Sequence, residues 1–281
     1  MRRSDAIANP LDRGIAIAGW VAMLFLLFPV LFTTVVSFGA GELIEFPPSG
    51  WSLRWYAHIG EIHRVGAAVL YSLLIASCAG VIATLLAVGI ALCLVRLPLP
   101  GKALVGAFIT SPVAVPIVAL GIALIQFFIW LGISFTWYSL LIGHLVLVIA
   151  YPVRTLVASL ALSNPSLEEA AASLGARPLI AFFTVTLPQM KPGLISGFLF
   201  AFLISFDNYP ISIFLVRGAL TVLPIEVFNY ISQNFDPTPA AFSTLYTILL
   251  SLIIVWAERR WSIISLSVAS EGGPGGKRSD R

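Results

Sequence analysis

Charged residues are scarce in this chain. Asp, Glu, Lys and Arg make up 10% of its 281 residues, and hydrophobic residues make up 59%, whereas soluble domains carry roughly 25% charged residues. In water such a chain would expose large apolar surfaces, so its natural solvent is a lipid bilayer. The net charge of only +3 gives no reason to expect a nucleic-acid partner.

Cysteine and histidine are also rare. Cys78 and Cys93 fall in one apolar stretch and would lie about 22 Å apart along a helix, too far for a disulfide. The three histidines, His58, His63 and His144, are scattered along the chain. The sequence therefore predicts no metal site and shows no cluster of His, Asp or Glu that would indicate a membrane-embedded enzyme.

A nucleotide-binding loop is missing as well. The pattern G-x-x-x-x-G-K-[ST] cradles phosphates, but Gly101-Lys102 and Gly276-Lys277 lack both the upstream glycine and the following hydroxyl residue. We therefore expect that the chain binds no cofactor and is not an enzyme by itself. If ATP drives its work, a separate subunit must bind the ATP and magnesium.

The chain contains six long apolar runs. A helix needs about 20 apolar residues to cross the hydrocarbon core, and the predicted spans are 14–38, 67–95, 103–131, 139–162, 193–216 and 240–257. The short alternating segments of a membrane barrel do not occur in the sequence. The first run is too long for a cleavable signal peptide, so it is predicted to be an uncleaved span. Pro112 and Pro116 are expected to kink the third span.

The basic residues test this count. With six spans both termini lie on one side, and only Arg54, Arg64 and Arg217 of the 16 basic residues lie on the other. The positive-inside rule then places both termini in the cytoplasm. The predicted organisation is a cytoplasmic N-terminus 1–13, a six-helix domain 14–262 and a disordered cytoplasmic tail 263–281, which is rich in glycine and charge.

A long cytoplasmic segment, 163–192, connects the fourth and fifth spans. Asn164 is placed to cap a helix whose first residue is Pro165, although Ser166 with Glu169 forms an alternative capping box. Gly175 is expected to end this helix in a left-handed turn. Pro178 is expected to begin a second short helix and Pro188 to end it. The segment is thus predicted to form two short helices at a fixed angle.

The spacing of residues in this segment resembles a family signature. Residues Glu169, Ala170, Ala171, Gly175, Leu187 and Pro188 are similar to the pattern of permeases in binding-protein-dependent ABC importers; Val185 departs mildly from the usual isoleucine. The resemblance implies an all-α, multi-pass integral protein of the bacterial inner membrane with the type I ABC importer permease (MetI-like) fold. It also implies that these six residues dock on the ATPase subunit and transmit its closure to the spans.

The resemblance covers nearly the whole chain. The stretches FPPSGWSLRWY, SFDNYPISIFL and VLPIEVFNYI are similar to the second permease subunit of spermidine/putrescine-type importers. This implies four kinds of partner besides the bilayer: two ATPase subunits that bind ATP and magnesium, a second related permease, a periplasmic or extracytoplasmic solute-binding protein, and a small polar solute. Whether the permease partner is a different chain or a second copy is left open by the sequence.

Four residues within or beside the spans are candidates for the transport pathway. An ionisable residue in a membrane is costly unless it faces water, a partner or a substrate, and this applies to His144 and Asp207. Asn208 and Tyr209 follow Asp207 directly. The alternatives are hydrogen bonding between helices for His144 and structural pairing near Pro210 for Asp207. The resembled subfamily has an acidic pair here, whereas this chain has Asp-Asn, one charge fewer. This weakens the case for a multiply charged polyamine, and polyamines, opines, amino-acid derivatives and other small polar solutes all stay open as cargo.

Two other functions compete with this interpretation. An ion-coupled secondary transporter would need an ion site among the spans, and only Asp207 and His144 are available for it. An export permease is disfavoured because the signature belongs to importers that use an external binding protein.

Overall fold

The computed structural model describes residues Pro10–Trp261, and over this range the chain is helical, with no strand beyond an isolated bridge between Gly39 and Trp51. The α-helices in this range are α1 (Pro10–Ser37), α2 (Arg54–Ile59), α3 (Val65–Arg96), α4 (Lys102–Thr110), α5 (Ile117–Trp130), α6 (Trp137–Val148), α7 (Ala150–Ala161), α8 (Pro165–Ser173), α9 (Pro178–Ala181), α10 (Leu187–Gln189), α11 (Lys191–Phe206), α12 (Tyr209–Leu215), α13 (Leu223–Gln233) and α14 (Thr238–Trp261). A 3₁₀ turn, Ser111–Val113, follows α4, and a π turn, Phe182–Thr186, joins α9 to α10. The predicted tail 263–281 lies outside the described residues, as do the first nine residues of the predicted N-terminal segment 1–13.

The helices provide the predicted number of membrane crossings. Three are long and apolar enough to span a bilayer alone: Arg13–Ser37 of α1, all of α3, and Thr238–Trp256 of α14. Three bent pairs raise the total in the described residues to as many as six, namely Lys102–Val113 with α5 (bent by 100°), α6 with α7 (40°), and Pro178–Gln189 with α11 (67°). The prediction of an all-α, six-span membrane protein is confirmed.

Proline positions explain two breaks in the predicted spans, one within the third span and one within the fifth. The third predicted span is bent between Val113 and Ile117, where Pro116 takes an extended conformation (φ −54°, ψ 124°), as Pro112 and Pro116 predicted. The fifth predicted span is interrupted after Phe206. Pro210 cannot donate a backbone hydrogen bond and its ring crowds the preceding turn, so the chain starts a new helix, α12, at Tyr209.

The described residues group into two compact units. The first contains residues up to His63 together with Asn229–Trp256, and the second contains Arg64–Phe228. In the first unit, the indole Nε1 of Trp55 donates to the carbonyl of Gly39 (2.9 Å), and the hydroxyls of Ser37 and Tyr56 lie 2.6 Å apart. These bonds hold α2 against the end of α1.

The core of the second unit is built from α3, α6, α7 and α11, with α5 and α12 beside them. Small side chains let these helices approach closely. A stripe of alanines on α3 is buried: Ala68, Ala76, Ala79, Ala83, Ala87 and Ala91. Gly193 and Gly197 of α11 lie against α7, so this glycine pair allows the two helices to pack closely.

Candidate functional site

The first helix of segment 163–192 begins as its residues predict. The side-chain oxygen of Asn164 accepts a hydrogen bond from the backbone N–H of Ser166 (3.1 Å), and Pro165 occupies the first helical position. The alternative capping box does not form, because the Ser166 hydroxyl donates to Asn164 (2.8 Å) instead. Of the two possible caps, the structure therefore contains the one provided by Asn164.

Gly175 forms the corner of the segment. It has φ +84°, a conformation that costs little only for glycine. Its N–H donates to the carbonyl of Ala172 (2.9 Å), and the N–H of Ala176 donates to the carbonyl of Ala171 (3.0 Å). This pair of bonds is a Schellman motif, which fixes the direction in which the chain leaves α8.

The second helix of the segment, Pro178–Gln189, is longer than predicted, and we call it the second arm, with α8 as the first. Pro178 begins it, but Pro188 does not end it, since the helical path runs through the π turn and α10 to Gln189. The reason is the wider π turn, in which the N–H of Leu187 donates to the carbonyl of Phe182, five residues earlier. Pro188 has no N–H, and the side chain of Gln189 donates to the carbonyl of Val185 (3.1 Å), so the helix tolerates the proline.

Segment 163–192 exposes several large apolar side chains. Glu169 and Ala170 are exposed, and Leu174 beside the corner is 89% exposed. Further large apolar side chains are exposed around them: Leu167, Leu179, Ile180 and Phe183. So many exposed large apolar side chains within one short segment favour an interaction site.

Glu168 is a functional candidate that sequence reasoning missed. One carboxylate oxygen lies 3.4 Å from Nη1 of Arg96 at the end of α3, and the other accepts a hydrogen bond from the hydroxyl of Thr186 on the second arm. The sequence showed only that Glu168 lies in the first turn of α8. No local pattern connects it to Arg96, because the two residues are far apart along the chain.

The predicted pathway residues surround the break between α11 and α12. His144 of α6 is buried, and its two ring nitrogens lie 2.8 Å from the hydroxyl of Ser205 and 3.1 Å from that of Ser212. It thus connects the helices before and after the break. This contact is the hydrogen bonding between helices that stood as the alternative to lining the pathway.

Asp207, Asn208 and Tyr209 have different surroundings. The Asn208 side chain is buried and accepts a hydrogen bond from the N–H of Ile211 (2.9 Å), which caps α12. The Tyr209 ring packs on Phe228 with 4.6 Å between ring centroids. Asp207 is exposed, and within the described residues no side chain donates to its carboxylate. Of the four candidates, Asp207 is therefore the one that is exposed and has no side-chain partner among the described residues.

This arrangement predicts a distinct effect for Asp207→Asn. We expect uptake to fall several-fold while the protein inserts normally, because the change removes a charge without removing any contact seen in the structure. Uptake in proteoliposomes, normalised to the amount of inserted protein, measures the effect. Asn208→Ala is the contrasting variant, since it removes a helix cap and should lower thermal stability by about 1 kcal/mol. An unchanged uptake rate for Asp207→Asn would remove this residue from the pathway.

The first unit has a pocket that sequence reasoning also missed. It has a volume of about 610 Å³ and is lined by Glu42, Arg54, Trp55, Ala57, His58, Glu61 and Asp236. Three carboxylates face a single arginine there, so the pocket is net acidic. Burial by itself would raise the pKa of Asp236, but hydrogen bonds from Thr238 and Tyr230 and the nearby His58 together lower it.

The described residues are all helical, and an exposed corner lies between the fourth and fifth predicted spans. Residues 80–260 match the family model described as the binding-protein-dependent transport system inner membrane component. The chain belongs to this family. It is a permease subunit of a binding-protein-dependent ABC importer, a multi-pass protein of the inner membrane, and the family works with ATPase and binding-protein partners.

Individual relatives agree with this assignment. The chain is 34% identical to the putrescine transport system permease protein PotI of Escherichia coli K12, over 79% of this chain and 81% of that one. It is 26% identical to the spermidine/putrescine transport system permease protein PotC of Haemophilus influenzae, over 85% and 93%. A chain in the crystal structure of a bacterial ABC transporter that imports alginate has the same fold, with a TM-score of 0.65, 17% identity, and coverage of 90% and 97%.

Proposed function

We propose that the chain forms half of the translocation path of an ATP-driven importer for a small, polar, positively charged solute. A second, related permease supplies the other half, and two ATPase subunits bind ATP and magnesium. The chain itself binds no nucleotide. The observation that carries the proposal is the left-handed corner at Gly175, next to which the signature residue Glu169 and the side chain of Leu174 are exposed.

Segment 163–192 is proposed to dock on the ATPase. The exposed leucines and Phe183 would bury apolar surface in a groove of the partner, and Glu169 would pair with a basic residue there. The small side chains of Ala170 and Ala171 allow a close approach. ATP closure then displaces the segment, and the attached spans rock as rigid bodies between inward- and outward-open states.

This arrangement requires both termini and segment 163–192 to be cytoplasmic. The distribution of basic residues supports that topology, since only Arg54, Arg64 and Arg217 lie on the other side. Under the same topology the acidic pocket around Glu61 and Asp236 faces outward, toward the binding protein.

The charge of the pocket supports a cationic cargo. PotI and PotC carry putrescine or spermidine by name, and three carboxylates around Trp55 are the chemistry that attracts an organic cation. Asp236, whose pKa lies below its ordinary value, is one of these three carboxylates. These features favour a polyamine-like solute over an anion.

The decisive test is uptake by the reconstituted importer. The chain, its permease partner and its ATPase are placed in proteoliposomes with the binding protein, and labelled putrescine and a neutral solute of similar size are compared. We expect ATP-dependent uptake of the cation that persists when ion gradients are collapsed. Uptake that survives ATP removal but requires an ion gradient would establish a secondary transporter instead. Calorimetry of the cognate binding protein against a solute panel identifies the cargo independently.

A further inference from the structure

The last residue of α3 is bonded to segment 163–192. Nη1 of Arg96 lies 3.4 Å from Glu168, and Nη2 donates to the hydroxyl of Ser163 (3.2 Å). The arginine thus contacts the segment at two points, one before α8 and one within its first turn. Its position at the end of α3 also favours a positive charge, because the helix dipole is negative there.

Glu168 connects three elements at once. It belongs to α8, pairs with Arg96 of α3, and accepts a hydrogen bond from Thr186 on the second arm, whose side chain is buried. The side chains of Arg96 and Glu168 are 27% and 32% exposed. They are more shielded than an ordinary surface pair, whose contribution is close to nothing.

The base of the segment is closed by a second contact between the two arms. The side-chain oxygen of Gln189 accepts a hydrogen bond from the N–H of Asn164 (3.0 Å). Together with the bond between Thr186 and Glu168, this contact makes the two arms one body. Displacing the exposed corner therefore displaces Glu168 as well.

The neighbouring glutamates differ in their surroundings. Glu169 is exposed, and none of the described side chains pairs with its carboxylate. Glu168 instead faces inward and has two partners. One carboxylate is available to another protein, and the other is used within this chain.

Helix α3 forms a major part of the core of the second unit. It packs against α6, α7 and α11, and the ring of Phe198 on α11 lies 3.1 Å from where a Cβ on Gly80 of α3 would be. The segment already reaches α11 through the chain at Gln189. If the segment is also connected to α3, its displacement would move α3 and α11 together, and their close contact at Gly80 would be kept.

We propose that the ion pair between Arg96 and Glu168 is a positioning link that carries displacement of segment 163–192 to α3. This proposal rests on the docking role given to the segment above. The pair makes no contact with the ATPase or the solute in this account. The ion pair makes α3 move together with α8. Loss of the pair therefore leaves docking intact and weakens the conversion of ATP hydrolysis into transport.

A charge swap tests the link. In the reconstituted importer, Arg96→Glu and Glu168→Arg should each lower uptake per ATP hydrolysed roughly tenfold, within the usual range of coupling factors between sites, while the ATPase still co-purifies. The double variant should recover to within about twofold of the unaltered protein if the pair acts as a unit. The neutral variants Arg96→Gln and Glu168→Gln repeat the test if reversed charges prevent folding.

A distance measurement separates a link from a purely stabilising contact. Spin labels are attached at the exposed positions Ser173 on α8 and Leu85 on α3, after Cys78 and Cys93 are replaced by serine. In the labelled protein that keeps Arg96 and Glu168, we expect the distance between the labels to be the same in nucleotide-free and ATP-bound complexes. In Arg96→Gln it should change on ATP binding, because α8 moves without α3.

The outcomes distinguish this inference from the proposed function. If the unaltered chain fails to bind an ATPase, the docking role itself is wrong, and this proposal goes with it. If the ATPase binds but the neutral variants transport normally, only the link is overturned. Weakened transport with label distances that respond to ATP as in the unaltered protein would also overturn it, since the pair would then only stabilise the fold.

Discussion

Glu169→Lys should abolish ATP-driven uptake while the protein still inserts in the membrane. The carboxylate is exposed at the docking face and has no partner among the described side chains, so its replacement should not disturb the fold. A lysine there would oppose the basic residue that we propose on the ATPase, and a like charge at an interface costs several kcal/mol. Co-purification of the ATPase with tagged permease, together with uptake, measures the effect.

The control for this variant should change net charge equally. Glu45→Lys does so at an exposed position in the other compact unit, and it should leave ATPase binding unchanged. Glu169→Gln should give an intermediate loss, because it removes attraction without adding repulsion. Normal transport by Glu169→Lys would remove the docking proposal.

Gly197→Leu should prevent the second unit from folding stably. A Cβ at this position would lie 2.6 Å from the Thr155 hydroxyl and 2.9 Å from the Cα of Pro152, distances that real Cβ contacts do not reach. Since Pro152 Cα belongs to the backbone, it cannot rotate away as a side chain would. We expect a loss of stability at or above the roughly 1–3 kcal/mol typical of overpacking, measured by thermal unfolding in detergent.

A matched glycine on α3 provides the comparison. A Cβ at Gly89 would meet no atom within 4 Å, so Gly89→Leu should unfold within a few degrees of the unaltered protein. The two variants add the same side chain to helices of the same unit. If both proved equally stable, the close approach of α11 to α7 would not contribute to stability.

Local chemistry predicted much of this protein. The cap at Asn164, the left-handed corner at Gly175 and the bend near Pro116 each depend on a few adjacent residues, and each was predictable from their types. The apolar runs predicted the spans for the same reason, because hydrophobic length alone determines whether a helix can cross the bilayer.

Contacts between distant parts of the chain were not predictable. The pairing of Arg96 with Glu168 depends on how α3 and α8 pack, and a single sequence carries no signal of it. His144 was recognised as unusual because an ionisable side chain in a span requires a reason, but its hydroxyl partners lie on α11 and α12. The prediction that Pro188 ends the second arm failed because the π turn that accommodates it involves five residues with no distinctive pattern.

That π turn has a consequence for how the two ends of the second arm are oriented. A π turn contains one residue more than the α-helical turn it replaces, and each residue of an α-helix advances the chain by about 100° around the axis. The surplus residue within Phe182–Thr186 therefore sets the rotational phase between α9 and α10. The direction in which Pro178 and Leu179 of α9 point relative to Gln189 of α10, whose side-chain oxygen accepts a hydrogen bond from Asn164, is therefore fixed by that single additional amino acid.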